Sequence, residues 1–208
     1  MKTHHNIIII FVLIAPLTTC SQYKSQADGI VAQLRDLPTP IPNEPSNGQG
    51  LPSEIKRRKL YGQLRELGDE AVYALSRGLQ DEDVNMRKNA ALCLEALSGG
   101  WFDNSRPRLD IRLGLSTLVN ALKDKDGAVR SWSAQAIGNI GPEAAQAVPF
   151  LVELLGSVDE GSRNGACIGL KGIGPAAKQA LPALQNALSD PSTDVRKFSK
   201  WAIEYIDK

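Results

Sequence analysis

Side chains suited to acid–base or metal chemistry are sparse in this chain of 208 residues. Its two histidines, His4 and His5, lie within the first five residues, just before an apolar run. Histidine is the most frequent general base and metal ligand, so removal of this segment would leave no histidine for either role. The rest of the sequence has no clustered carboxylates, phosphate-binding loop or metal-ligand spacing. We therefore predict that the protein is not an enzyme and needs no metal or other cofactor.

The charge balance bears on the kind of partner. Lysine and arginine number 24 and aspartate and glutamate 23, and loss of residues 1–19 would remove only Lys2. The two signs would then be equal, which gives no support for binding to phosphate backbones. A composition of 42% hydrophobic and 23% charged residues is typical of a folded domain. We predict no nucleic-acid partner.

Cys20 is the residue best placed for covalent modification. It follows Lys2 and an apolar run at residues 7–15, which fits the core of an export signal and is shorter than the roughly 20 residues that cross a bilayer. The segment Leu17-Thr18-Thr19-Cys20 resembles the lipobox of bacterial lipoproteins. That resemblance implies a signal peptide at residues 1–19 and a lipid on Cys20. The alternative is an ordinary secreted protein that is cut elsewhere, in which Cys20 has no role.

The same resemblance implies a location. A lipid on Cys20 would anchor the protein to a membrane of the cell envelope, facing the periplasm or the exterior. Ser21 follows the cysteine in place of aspartate, which in Gram-negative lipoproteins is similar to the pattern of cargo sent to the outer membrane. We expect a lipid-anchored envelope protein, at the outer membrane if the envelope is Gram-negative.

Residues 20–52 have the composition of a tether. Five prolines lie among asparagine, serine, glycine and glutamine at residues 38–52, and such a segment does not form a packed element. Fully extended, it would span roughly 45 Å at about 3.1 Å per residue. Residues 27–37 could form one weak helix. We place a repeat domain after the tether, at residues 53–208.

A repeat of 33 residues organises that domain. Arg130, Arg163 and Arg196 are each 33 residues apart in similar surroundings, and Arg87 heads an earlier copy. Apolar residues three or four apart precede each arginine, and others follow it by seven and ten residues. Each copy therefore encodes two amphipathic helices joined by a short polar turn. Half a copy around Arg57 comes first, which predicts about four and a half hairpins.

The turn carries a more specific signature. In three copies an aspartate stands six residues before the arginine, at Asp81, Asp124 and Asp190. This pattern resembles the HEAT-like repeat family, in the short form first described in bilin lyases. The resemblance implies an all-α, right-handed α-solenoid in which these charges form a ladder between adjacent units, so we give them no site role. The copy around Arg163 has Ser157 in place of the aspartate, so either Asp159 substitutes or that step of the ladder is weak.

The two remaining cysteines lie far apart in apolar helical stretches. Cys93 and Cys167 are more than seventy residues from one another. We interpret each as a small buried hydrophobic residue and expect no disulfide between them.

Four aromatic residues on the second helices are the first candidate binding site. Positions two, five and nine after the arginine point away from the buried stripe of an ideal helix. They hold Trp132, Phe198, Trp201 and Tyr205. The resemblance implies that second helices line the concave side, where exposed aromatics can anchor a partner. The alternative is that the last three close the final repeat.

An insertion is the second candidate. Arg87 and Arg130 are 43 residues apart, ten more than the period, and the surplus lies between hairpins at residues 99–108. This loop combines two aromatics with two arginines: Trp101, Phe102, Arg106 and Arg108. Repeat insertions often project on the binding face. The alternative is that Trp101 and Phe102 fill an imperfect joint between units.

Three functions are consistent with these features. The first is a monomeric, non-enzymatic module that binds an unknown protein or peptide at the envelope. The second is a lyase or enzyme-accessory protein, by analogy with the bilin lyases that share the repeat. The third is a passive structural protein of the envelope. The export signal and the absence of catalytic constellations favour the first over the second.

Overall fold

The structure is a computed structural model that describes residues 21–38, 52–99 and 108–208. No strand occurs in these ranges. The helices are α1 (21–32), α2 (Pro52–Glu66), α3 (Asp69–Gly78), α4 (Val84–Gly99), α5 (Leu115–Ala121), α6 (Gly127–Ile140), α7 (Val148–Leu154), α8 (Glu160–Ile173), α9 (Leu181–Ala187) and α10 (Thr193–Ile206). The predicted signal peptide, Cys20, Trp101, Phe102 and Arg106 lie outside the described residues.

The helices end where backbone chemistry requires it. Gly141 and Gly174 adopt positive φ angles of 84° and 67°, which end α6 and α8 at a residue without a Cβ. A proline follows each glycine and starts a short 3₁₀ turn that leads into the next first helix. At the other end, the Asp126 and Asp159 carboxylates cap α6 and α8 by accepting backbone N–H bonds.

Consecutive helices pair into antiparallel hairpins that stack in one row. The second helices α4, α6, α8 and α10 contact one another far more extensively than the first helices do. The row is therefore packed most closely on the side of the second helices, which is the side that the resemblance implies is concave. The prediction of an all-α solenoid of helical hairpins is confirmed.

The structure differs from the sequence prediction at the start of this solenoid. Residues 21–38 were expected in the tether, but this segment buries Ala27 of α1 and Leu34, just after α1, completely in the core. The Asn89 side-chain amide donates to the backbone carbonyls of Leu34 and Leu37, both at 2.9 Å. Helix α1 thus completes the predicted half copy as a full hairpin with α2. Its apolar residues recur at helical spacing, so burial outweighs the polar composition around them.

Both cysteines in the described residues are buried and free, as expected for small hydrophobic side chains. Burial raises the pKa of Cys93 to about 12 and that of Cys167 to about 11. The Cys167 sulfur also lies 3.2 Å from the Ser199 hydroxyl, across the joint between α8 and α10. These thiols therefore serve packing rather than nucleophilic chemistry.

Candidate partner-binding surface

The repeated arginines make hydrogen bonds within their own turns and to the next hairpin. Arg163 donates from Nη1 to the Ser157 carbonyl of its own turn at 3.0 Å. Its Nε and Nη2 donate to the two carboxylate oxygens of Asp190, in the next hairpin, at 2.7 and 2.9 Å. Arg87 bonds to Asp124 in the same way. Each arginine thus closes one turn and ties it to the next, which is the ladder that the resemblance implied.

The copy without the usual aspartate keeps its ladder step by another route. Arg130 donates from Nε to the Ser162 hydroxyl at 2.9 Å, and that hydroxyl donates to Asp159 at 2.6 Å. The direct Arg130–Asp159 distance is 3.6 Å. Burial acts to raise the pKa of Asp159, but the hydrogen bonds from Ser162 and the nearby arginines hold it below its ordinary value. Asp159 therefore substitutes for the missing aspartate.

The first step uses an arginine that sequence reasoning missed. Arg35, just after α1, donates to Asp81 at 2.6 Å. Arg57, the arginine in register, is 1% exposed and donates to the Pro38 carbonyl and to Glu54. In the later copies one arginine bonds both to its own turn and to the next one. Here Arg57 bonds to the segment before α2, and Arg35 bonds to the next turn. Residues 39–51, between α1 and α2 in the sequence, interrupt the 33-residue period, so spacing alone could not identify Arg35.

The second helices α6 and α8 approach one another closely at two glycines of α8. A Cβ on Gly169 would lie 2.5 Å from the Ala134 carbonyl oxygen, and one on Gly165 would lie 2.7 Å from the Ser131 carbonyl oxygen. These distances leave no space for a side chain. The two helices therefore pack backbone against backbone at these glycines.

Helix α10 is different, because aromatic rings and lysines cover its concave side. The Phe198 and Trp201 rings meet edge to face at 5.3 Å and 82°. The Lys171 ammonium, on α8, lies 5.5 Å from the Trp201 ring centroid and 4.9 Å from that of Tyr205. Two further ammonium groups lie 4.4–4.7 Å from a ring centroid. We call this set the aromatic–lysine cluster: Phe198, Trp201, Tyr205, Lys171, Lys197 and Lys208.

Solvent exposure separates the predicted aromatic residues into two groups. Trp201 is 37% exposed and Tyr205 48% exposed. Phe198 and Trp132 are partly buried and pack against the core. Phe198 thus helps to close the last described hairpin, whereas Trp201 and Tyr205 remain open to solvent. A helical wheel places all four on one side, but it does not show how far the neighbouring helix covers each ring.

The insertion is described only at its end. Arg108 is exposed and lines a cavity of about 330 Å³ between α4 and α6. Asn139 and Glu143 line the same cavity, and neither was a sequence candidate. Asn139 donates to the Ser98 hydroxyl at 3.1 Å, so its amide already has a structural partner.

In the described ranges, 21–38, 52–99 and 108–208, no helix is both long and apolar enough to span a bilayer. No group of three or more histidine, cysteine, aspartate or glutamate side chains in those ranges could hold a metal ion. The exposure of Trp201 and Tyr205 makes their surface on α10 the candidate site.

Known structures share this architecture. The complex of CpcE and CpcF of phycocyanin lyase from Nostoc sp. PCC7120 is similar with a TM-score of 0.62 and 17% identity over 86% of this chain and 98% of that chain. A designed armadillo repeat protein in complex with peptide (KR)4 is similar with a TM-score of 0.57 and 20% identity over 97% of this chain and 95% of that one. An engineered protein matches with a TM-score of 0.56 and 24% identity over 87% and 79%. Identities this low show the fold alone.

Sequence comparison gives the family. No curated protein sequence matches this chain. Residues 115–204, from α5 to near the end of α10, match the family of HEAT repeats. The prediction of a HEAT-like repeat protein from its arginine register is thus confirmed, with the family match at residues 115–204.

Proposed function

We propose that this protein is a non-enzymatic protein-binding module, anchored at the bacterial cell envelope by a lipid on Cys20. The repeat fold supports a binding role, because stacked hairpins present an extended surface rather than an enclosed catalytic cavity. The lipobox-like segment before α1 supports the anchoring.

The observation that carries the binding role is the exposure of Trp201 and Tyr205 on the concave side. Phe198 holds the Trp201 ring edge to face, and Lys171 lies against both exposed rings. Rings held in this way lose little conformational freedom when a partner binds, which is why aromatic residues are frequent anchors of interfaces. We therefore place the principal contact for a protein or peptide partner on α10.

The predicted anchor would lie close to the folded domain. Cys20 directly precedes α1, and the proline-rich residues 39–51 lie between α1 and α2 instead of between anchor and domain. A lipid on Cys20 would therefore hold the first hairpin near the membrane. The aromatic–lysine cluster lies at the other end of the row of described hairpins.

The alternative functions have less support. The phycocyanin lyase structure is similar at 17% identity, which is a likeness of fold and gives no catalytic residue. A passive structural role would give no reason for the exposure of the aromatic rings of α10. It predicts that their removal has no effect on any interaction.

A crosslinked pull-down from envelope extract tests the binding role. The bait is the tagged full chain beside a Trp201→Ala, Tyr205→Ala double variant. Tyr73→Ala is the control, because Tyr73 is an equally open ring, 45% exposed, on the first helix α3. We expect a protein that the wild type and the control capture and the double variant loses. Equal capture by all three, or none by any, would contradict the proposal.

A fractionation experiment tests the location separately. Cys20→Ser should move the protein from the membrane fraction to the soluble fraction, because a serine cannot carry the thioether-linked lipid. Ser21→Ala, which leaves the cysteine in place, is the control. Retention of the Cys20→Ser variant on the membrane would contradict the lipid anchor without affecting the pull-down.

A further inference from the structure

We infer that the aromatic–lysine cluster binds an acidic segment of a partner protein. This inference rests on the proposed binding role and adds the chemistry of the ligand. It starts from the arrangement of three ammonium groups around two exposed rings. A partner that approaches α10 meets these cations before it can reach the ring faces.

The lysines cover the aromatic faces. Lys197 lies 4.7 Å from the centroid of Trp201, and Lys171 lies 5.5 Å from the same ring. Lys208 lies 4.4 Å from the Tyr205 centroid, with Lys171 at 4.9 Å. The negative face of each ring therefore already attracts a cation. The surface offered to a ligand is cationic at its centre, which disfavours a purely apolar occupant.

These ammonium groups have no carboxylate partner in the described part of the chain. None of the ion pairs formed there includes Lys171, Lys197 or Lys208. Glu204, beside Tyr205 on α10, and Asp207, just after α10, are exposed, but neither makes an ion pair with the three lysines. By contrast, the ladder arginines Arg87 and Arg163 are paired with aspartates. The cluster thus keeps donors that a ligand can use.

Complementarity of charge and of hydrogen-bond donors indicates which kind of ligand fits this surface. Each ammonium carries three donors, and contact with a ring restricts the lysine side chain before binding. Glutamate or aspartate carboxylates can accept from these donors, while the aliphatic part of an acidic segment packs on the exposed ring edges. A basic segment would place like charges against Lys171 and Lys197. The structure therefore favours a segment that alternates acidic and apolar residues.

Fluorescence anisotropy with the purified full chain tests this ligand class. The probe is a labelled eight-residue peptide of alternating glutamate and leucine, compared with glutamine–leucine and lysine–leucine peptides of the same length. We expect only the glutamate peptide to bind, and its affinity to fall as salt is raised. Equal binding of the glutamine peptide would overturn the inference. Binding of the chain to anionic phosphatidylglycerol vesicles in place of the glutamate peptide would also overturn it.

A pair of double variants separates the cluster from net charge. Lys171→Gln, Lys197→Gln should weaken binding of the glutamate peptide about tenfold, a loss typical of removing complementary charges. Lys125→Gln, Lys178→Gln changes the total charge equally at exposed lysines that contact no described ring. This control should change the affinity by less than about twofold. Equal losses in the two variants would contradict a specific site.

The two proposals can fail independently. A protein captured through Trp201 by the wild type and equally by Lys171→Gln, Lys197→Gln would support the binding role and contradict the acidic ligand. Binding of the glutamate peptide with no captured protein would support the ligand class and contradict the proposed role. Thermal melting of each variant shows that a loss of binding does not come from unfolding.

Discussion

The two sides of α8 show how one repeat can serve stacking and recognition. Toward α6, Gly165 and Gly169 bring the two backbones into direct contact. Toward α10, Cys167 and Lys171 meet a hydroxyl and two aromatic rings through side chains. The first joint is closed by backbone contact, and the second holds exposed side chains in defined positions. On the proposed function, recognition uses the joint that keeps its side chains.

The charged ladder also differs between these two joints. Its hydrogen bonds are more direct at the α8–α10 joint than at the α6–α8 joint, where the backbones pack more closely. Arg163 bonds to both oxygens of Asp190 directly across the α8–α10 joint. Across the α6–α8 joint, Arg130 reaches Asp159 mainly through Ser162. The joint with close backbone packing thus has the less direct ladder step. We interpret the ladder and the helix packing as two contributions to stacking that substitute for one another.

The largest expected effect comes from breaking the glycine joint. Gly169→Ala would force a methyl group against the Ala134 carbonyl, where rigid backbone cannot give way. Because overpacking of this kind costs about 3 kcal/mol, the melting temperature should fall by roughly 6–12 °C. Differential scanning calorimetry measures the change.

Gly62→Ala is the matched control for that substitution. Gly62 lies inside α2, and a Cβ there meets nothing within 4 Å. The same change should stabilise the protein by up to about 1 kcal/mol through helix propensity. If both variants melted at the same temperature, the glycine joint would not be a determinant of stability.

The direct ladder step should respond to pH. Hydrogen bonds from Arg163 hold the pKa of Asp190 below its ordinary value. Such a group stabilises the fold fully above its unfolded-state pKa of about 3.9, and the contribution is lost as pH falls through the folded-state value. Asp190→Asn should therefore lower the free energy of unfolding by about 2 kcal/mol at pH 7. The difference from wild type should shrink below about pH 4.

Urea unfolding of wild type and variant at pH 7 and pH 3 tests this sign. Asp207→Asn is the control, because Asp207 is exposed and makes no ion pair with a described residue. It should match the wild type at both values. A constant difference between Asp190→Asn and wild type at the two pH values would show that the carboxylate charge is not what stabilises this step.

A smaller and local effect is expected at the first hairpin. Asn89→Ala removes the hydrogen bonds to the carbonyls of Leu34 and Leu37, and only the Leu34 carbonyl keeps another described donor, the Leu37 N–H at 3.1 Å. The cost should be about 1–2 kcal/mol and should appear mainly as opening of α1. Amide hydrogen exchange should therefore be faster at residues 27–37 and unchanged in α10. Uniform acceleration along the chain would mean that α1 is not a separate unit of opening.

The parts of this fold that could be predicted are those that repeat. The register of Arg87, Arg130 and Arg163 identifies the hairpins, the turns and the ladder partners, because stacking imposes the same chemistry on every unit. Arg35 was missed, and α1 was predicted only as one weak helix within the tether, because residues 39–51 separate both from the repeats and interrupt the period. The proline-rich composition of residues 38–52 does not show that buried residues precede it.

The candidate site could be predicted only in part, for a different reason. The positions of Trp201 and Tyr205 on the second helix follow from counting residues after Arg196. The position of Lys171 against both rings depends on how closely α8 and α10 approach, which no single-helix pattern contains. Trp132 has the same register as Phe198, and only the neighbouring packing shows that both are partly buried.

The smallest expected effect on stability is at Trp201, an exposed ring of α10. Trp201→Ala should change the free energy of unfolding by at most about 1 kcal/mol, because the ring is open to solvent and its main aromatic contact is the edge-to-face pair with Phe198. Trp132→Ala should cost more, about 2 kcal/mol, since that ring packs against the core. Thermal melting of the two variants side by side provides the comparison. A larger loss of stability in Trp201→Ala than in Trp132→Ala would mean that the aromatic–lysine cluster closes the solenoid. That result would contradict a recognition role for α10.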